Sequence, residues 1–218
     1  IDEGHLLTCR PPARSLRTWL DELRAAGPDV LIVNVMENTQ YVTADHALLA
    51  ERGSAVIRGV VILARALDIS KVLLAVDRRR TDAYREAVGP ARLFGIETMA
   101  LTHKYPTGDD TMLTRLLTRR TVPAGGSPTD VGVCVLDAAT CHALCRWVIH
   151  GRRLTARAVT VSGPPVQKAG NYLLPFGADA AEVLAAAEAP PGEPAVCGSV
   201  MTGTAVVDGA VVGPDTSG

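Results

Sequence analysis

The chain has 218 residues, 47% of them hydrophobic and 21% charged, enough to bury a sizeable core and to exclude disorder throughout. With 22 Lys and Arg against 23 Asp and Glu, the formal net charge is -1, which supplies no global attraction for phosphate backbones or anionic lipid; nucleic acid is not expected as a partner. The length suits one larger domain with a small second one.

The first residue is Ile, and no basic segment followed by an apolar one opens the chain, so the start reads as a trimmed or internal boundary without support for secretion. From residue 29 onward, short β-branched runs alternate with segments of helical period. The runs at 29–34, 71–77, 96–102, 132–137 and 157–162, each rich in Val, Ile or Leu, are expected strands. Helices are expected near 43–67, 81–88, 109–119 and 139–149. In the first of these, Val56, Val60, Leu63 and Leu67 share one face. Arg58 and Arg65 interrupt its most apolar stretch, leaving far fewer than the ~20 apolar residues that span a bilayer. It reads as a buried helix, and no direct membrane insertion is expected. The alternation predicts an α/β fold: a mostly parallel sheet with helices on both faces. The arginines at 78–80 read as a solvated turn or as a phosphate contact, and Gly125-Gly126-Ser127-Pro128 as a flexible connection.

After Gly163 the texture changes. Pro164 and Pro165 break the chain, and residues 164–218 read as a small α+β module. It should hold an Ala-rich helix at 179–188 and strands at 196–207 and 209–212, joined through Asp208-Gly209. Five cysteines at irregular spacing make a poor disulfide framework, and a reducing cytoplasm fits better. Cys141 and Cys145 lie one helical turn apart, but no second ligand pair accompanies them, and His142 and His150 complete no metal site. They read as buried thiols.

Ligands of open parallel sheets collect at the carboxyl ends of strands. Three stretches there are dense in polar groups: residues 34–41, which include Asn34 and Glu37, residues 104–111, and residues 137–140. Asp109 and Asp110 at a helix start suit capping or ligand binding, and Asn34 and Glu37 suit loop hydrogen bonding or ligand binding.

The same segments carry a resemblance. Residues 33–45, VNVMENTQYVTAD, resemble the INGAECEPYITAD segment of the C subunit of the Rnf electron-transport complex, keeping Asn34, Glu37, Tyr41, Thr43, Ala44 and Asp45. HKYPTGDDTML at 103–113 resembles the family's KYPxG segment and the acid after it. The flavin subunit of respiratory complex I has a comparable glycine, acidic pair and threonine. VPAGGSPTDVGV at 122–133 and RRLTARAVTVSG at 152–163 follow the family's VPxGGxPxDVGV and GxPLxxRxVTVTG. GNYLLPFG at 170–177, VMTG at 200–203 and TSG at 216–218 resemble the β-grasp module called SLBB.

The resemblance implies an FMN- and NADH-binding domain at residues 1–163, RnfC-like and complex I flavin-subunit-like, followed by an SLBB-like β-grasp module at 164–218. It implies a cytoplasmic electron-transfer subunit for NADH oxidation, working with other protein subunits through which it would sit peripherally at a membrane. If active, it is an NADH dehydrogenase-like oxidoreductase component. FMN and NAD(H) would be held by Asn34, Glu37, Lys104, Tyr105, Gly108, Asp109, Asp110, Asp137 and Thr140, none of them a covalent catalyst. The chain also departs from the pattern. The family's GLGGAGFP loop corresponds to LTCRPPARS at 7–15, which has no glycine and loses two amide donors to proline. Thr39-Gln40 replaces a second glutamate-proline, Thr111 replaces a lysine, and Leu136-Asp137 replaces an asparagine-rich turn. CxxCxxCxxxCP does not occur, so no iron–sulfur cluster is expected in this chain. A second reading is therefore a non-catalytic homologue that has lost flavin binding and serves as a binding or assembly module. A third places a different nucleotide at this edge, its phosphate on Arg10, Arg14 or the arginines at 78–80.

Overall fold

The computed structural model describes residues 6–201 and 203–218; Thr202 of the VMTG segment and the first five residues lie outside the described residues. In chain order the elements are α1 (Leu16–Ala26), β1 (Val30–Val35), α2 (Ala44–Ala66), β2 (Lys71–Asp77), α3 (Thr81–Leu93), β3 (Glu97–Leu101), α4 (Asp110–Thr118), β4 (Val133–Asp137) and α5 (Ala138–His150). Beyond them lie β5 (Ala156–Val161), β6 (Gly170–Pro175), α6 (Ala180–Ala186), β7 (Val196–Cys197) and β8 (Thr204–Ala205).

The α/β architecture is as the alternation predicts. Four parallel strands form a sheet in the order β3-β2-β1-β4. Because side chains alternate across a strand, β1 sends Leu31, Val33 and Val35 to one face, where they pack with α1, α2, α3 and α5. Val30 and Ile32 point to the other face, which α4 covers through Leu113. Both faces of the central strands are thus sealed, which is why their sequences read as unbroken apolar runs.

Several expectations need correction. The helix α1 lies outside the expected elements, although Leu16, Trp19, Leu20 and Leu23 are spaced for one buried face and Ser15 Oγ caps the Thr18 amide. The helix at 81–88 continues to Leu93 through Pro90, because the buried stripe Ala83, Ala87 and Ala91 extends past the proline. The fifth strand does not join the parallel sheet. It pairs antiparallel with β6, Ala156 opposite Pro175 and Val161 opposite Gly170, and position 163 falls in the connection between them. The tail hairpin also turns elsewhere: β7 pairs with β8, both ahead of Asp208-Gly209, while Val211 beyond that pair bridges to Asp179. The Gly125–Pro128 stretch is no loose connection, since Ser127 and Asp130 form a reciprocal capping box on the short 3-10 turn Pro128–Val131. Arg78, Arg79 and Arg80 are exposed, and Arg79 pairs with Asp77 at 2.9 Å.

The tightest packing joins α2 to α5. A Cβ on Gly59 would lie 1.8 Å from the Cys141 carbonyl oxygen, so the two backbones approach as only glycine permits. No flexible side chain can yield there. Gly59→Ala is therefore expected to lower the unfolding free energy by about 2–3 kcal/mol, measured by urea denaturation. A change under about 0.5 kcal/mol would mean that the helices separate freely.

Candidate functional site

The chain leaves β1 towards β2 and β3 and then returns to place β4 on the other flank of β1, which makes the carboxyl ends of β1 and β4 the switch point of the sheet. A cleft of about 290 Å3 opens there. Of the residues expected at this edge, Asn34, Glu37, Gly108, Asp109, Asp110 and Asp137 line it. Lys104, Tyr105 and Thr140 do not. Lys104 and Tyr105 are exposed on the preceding loop, and Thr140 is buried behind the wall.

Each lining residue is held by a local device. Asn34 Nδ2 donates to the Gly108 carbonyl at 2.8 Å and to Asp110 Oδ1 at 3.1 Å, tying β1 to the start of α4. A Cβ on Gly108 would meet Met36 and Asn38 at 3.1 Å, so the loop before α4 lies flat against the one after β1. The two neighbouring aspartates divide their roles. Asp109 caps α4, accepting from the Thr111 and Met112 amides at 3.0 and 3.1 Å, whereas Asp110 turns to the cleft and pairs with Arg10. Glu37 sits at φ 38 and reaches forward to cap α2, its Oε1 accepting from the Asp45 amide at 2.8 Å and the His46 amide at 3.3 Å. Asp137 caps α5, accepting from the Thr140 amide at 2.6 Å and the Thr140 hydroxyl at 2.8 Å.

Opposite the strand ends, the loop at 7–15 closes on itself through the Leu7–Ser15 bridge. Four of its amides are spent inside the protein: Thr8 donates to the Arg14 carbonyl, Cys9 to Thr140 Oγ, Ala13 to Asp215 and Arg14 to Thr8 Oγ. Pro11 and Pro12 have none. What the loop offers the cleft is the Arg10 side chain, anchored on Asp110 and on the Val135 carbonyl. Arg14 points elsewhere and pairs with Glu22.

The cleft is acidic. Burial first, and then the charge of Asp45, pushes the Glu37 carboxyl up to about 8. Burial and Asp137 push Asp45 up to about 7, against the pull of Arg157 and Arg10. Burial opposes the charge of Arg10, but Asp110 and Asp137 raise its pKa above the ordinary arginine value. The Oδ1 atoms of Asp45 and Asn38 are buried without a hydrogen-bond partner among the described residues. Burial also drives the Cys9 and Cys134 thiols each up to about 12, which leaves them protonated.

Residues outside the expected set prove central. Asn38, within the polar stretch after β1 where sequence patterning singled out only Asn34 and Glu37, and Asp45, in the first turn of α2, also line the cleft. Arg157 is buried and donates to the Cys9 carbonyl at 2.8 Å and the Pro214 carbonyl at 2.5 Å. A lone arginine opening a β-branched strand was its signal. Ser217 closes the cleft from the chain's far end, a placement that no local pattern encodes.

Residues 16–146 match the family model described as the Nuo51 FMN-binding domain. The chain is 34% identical over 161 residues to the C subunit of the ion-translocating oxidoreductase complex of Erwinia tasmaniensis, an alignment covering 72% of this chain and 20% of that protein. It is 33% identical over 149 residues to the C subunit of the proton-translocating ferredoxin:NAD(+) oxidoreductase complex of Clostridium ljungdahlii, covering 68% of this chain and 33% of that one. The chain thus spans between a fifth and a third of the length of these relatives. Among solved structures, the NAD+-reducing NiFe-hydrogenase in its air-oxidized state superposes with a TM-score of 0.71 at 19% identity, over 85% of this chain and 37% of that one. That likeness shows the fold.

The raised carboxyls make stability depend on pH. Both Glu37 and Asp45 lie above their unfolded values, so their favourable contribution is complete below about pH 4 and is lost as pH rises through about 7 to 8. His46 and His142, both lowered, act in the opposite sense, and their effect is complete by about pH 6.5. Glu37→Gln keeps an oxygen for the α2 amides but has no proton to lose. Its stability relative to the unmodified protein should therefore rise between about pH 5 and pH 8, read by urea unfolding at both values. A constant difference would remove Glu37 from the titration.

Proposed function

This chain belongs to the family of Nuo51 FMN-binding domains and is RnfC-like, and from that premise we propose that it serves an electron-transfer complex as a subunit that keeps the fold but no longer seats FMN, acting as a binding and assembly module. The observation that carries this reading is the state of the loop at 7–15. A phosphate cradle needs several amides converging on one point. Here four of the loop's amides are already donated within the protein and two positions are proline.

Charge points the same way. A phosphate dianion would enter a cleft lined by Asp109, Asp110 and Asp137, with Arg10 as the cation facing it, and by Glu37 and Asp45, whose raised pKa values leave them only partly charged near neutral pH. Each ionised carboxylate about 6 Å away would oppose the dianion by about 5.5 kcal/mol at an effective dielectric constant of about 20. Arg10 is itself held by Asp110, so a phosphate must break that pair to use it. These residues do not fit the phosphate of FMN. In this reading the subunit works beside other protein subunits, through which it would sit peripherally at the cytoplasmic side of a membrane. No helix among the described residues is long and apolar enough to cross one. Residues 164–218 would form the SLBB-like module.

A second reading is favoured by the position of the cleft. It lies at the switch point and presents Asn34, Asn38 and Glu37, which could meet the polar edge of a flavin or nicotinamide ring; FMN and NADH would then sit at the carboxyl edge as in an NADH-oxidizing subunit. Titrating FMN while following flavin fluorescence separates the two. The expected outcome is a colourless purified chain and no saturable binding. A yellow chain, or tight stoichiometric binding that Arg10→Ala weakens by about tenfold, the worth of one charge-assisted hydrogen bond, would establish the second reading instead.

A further inference from the structure

Residues 138–178 contain Arg146, Arg152, Arg153, Arg157 and Lys168 but neither Asp nor Glu, in a chain whose acids and bases otherwise nearly balance. Folding brings three of these arginines to one groove, on the other side of the loop from the acidic cleft. Arg146 from the last turns of α5, and Arg152 and Arg153 from just beyond its end, line a groove of about 60 Å3 together with Leu48, Leu154 and Leu173. Four alanines complete its floor. Arg157 also lines it, but its guanidinium is turned inward onto two backbone carbonyls.

The three arginines are not neutralised. Some arginines elsewhere find carboxylates, as in the pairs of Arg14 with Glu22, Arg79 with Asp77 and Arg120 with Asp29, and others, Arg78 and Arg80 among them, stand apart; these three share one groove in an acid-free segment. No such pair forms with Arg146, Arg152 or Arg153 among the described residues. The neighbouring His142 registers the surplus: burial, then Arg146 and Arg52, lower its pKa to about 4. The dipole at the end of α5 favours a cation such as Arg146, but Arg152 and Arg153 lie past the cap at Gly151. Beside this uncompensated charge, Leu173 is 74% exposed on β6.

We propose that this groove docks an acidic polypeptide segment of a partner subunit, with carboxylates on Arg146, Arg152 and Arg153 and an apolar side chain against Leu48, Leu154 and Leu173. The pairing of charged rim and apolar floor selects this occupant. A free phosphate would meet leucines and alanines where it needs amide donors. The proposal names the docking surface for the assembly role above and so rests on that reading. The two are separable: the FMN titration reads the acidic cleft, whereas the following test reads the groove alone.

The probe is a short fluorescein-labelled peptide of glutamates around a central pair of leucines, titrated with the full chain by fluorescence anisotropy. Saturable binding that weakens with added salt is expected, lost by about tenfold or more in the doubly substituted Arg152→Glu, Arg153→Glu protein. A loss of about tenfold is also expected for Leu173→Ser, or when serines replace the peptide's leucines. All three positions are exposed, so these variants should keep the parent melting temperature. The His142 resonance should titrate at higher pH once the peptide is bound. No binding, binding indifferent to these substitutions, equal binding of the serine peptide, or displacement by equimolar pyrophosphate would each overturn the proposal.

Discussion

The site depends on one buried guanidinium. Arg157 enters the interior from β5, and a charge taken out of water costs several kcal/mol unless hydrogen bonds replace its hydration. Its acceptors include the carbonyls of Cys9 and Pro214, from opposite ends of the chain, beside that of Ala158. The amide of the same Cys9 is taken by Thr140, whose amide and hydroxyl are in turn held by Asp137. Cys9 is therefore fixed through both of its backbone polar groups. The path of the loop, and with it the placement of Arg10, follows from that double attachment.

From this follows the electrical character of the molecule. Cys9 lines the basic groove and Arg10 lines the acidic cleft, so two hollows of opposite sign stand back to back across consecutive residues. A net charge of -1 conceals this separation. Composition excluded nucleic acid as a partner on the sum of charges, whereas recognition by a protein surface responds to their arrangement.

The sheet was legible because its signals are local. Buried parallel strands are apolar whatever they pack against, and Val30–Val35, Lys71–Asp77 and Val133–Asp137 announce themselves. Pairing partners are not local, and so β5 could be recognised as a strand but not as one that leaves the parallel sheet. The site was legible in part for the same reason. Asn34, Glu37, Asp110 and Asp137 sit next to strand ends, where the fold class alone directs attention. Their division of labour could not be read. Asp109 and Asp110 differ by one position on a helix start, and only the rotation of that helix decides which caps and which faces Arg10.

Glu37 serves two requirements that pull apart. Its backbone lies in the left-handed region, which suits glycine or asparagine, and holding another residue there costs on the order of 1 kcal/mol. Its carboxyl caps α2, a 23-residue element kinked at Arg52 whose own N-cap residue, Thr43, makes no side-chain cap. Glycine would relax the backbone and abandon the amides; aspartate tolerates the dihedral but is one methylene shorter. No natural side chain satisfies both demands fully, which makes position 37 a point of local frustration held in place by its surroundings. Such a position accepts few substitutions for reasons of geometry alone, so an intolerance to mutation measured there would reflect the conflict between dihedral and helix start before it reflected any ligand.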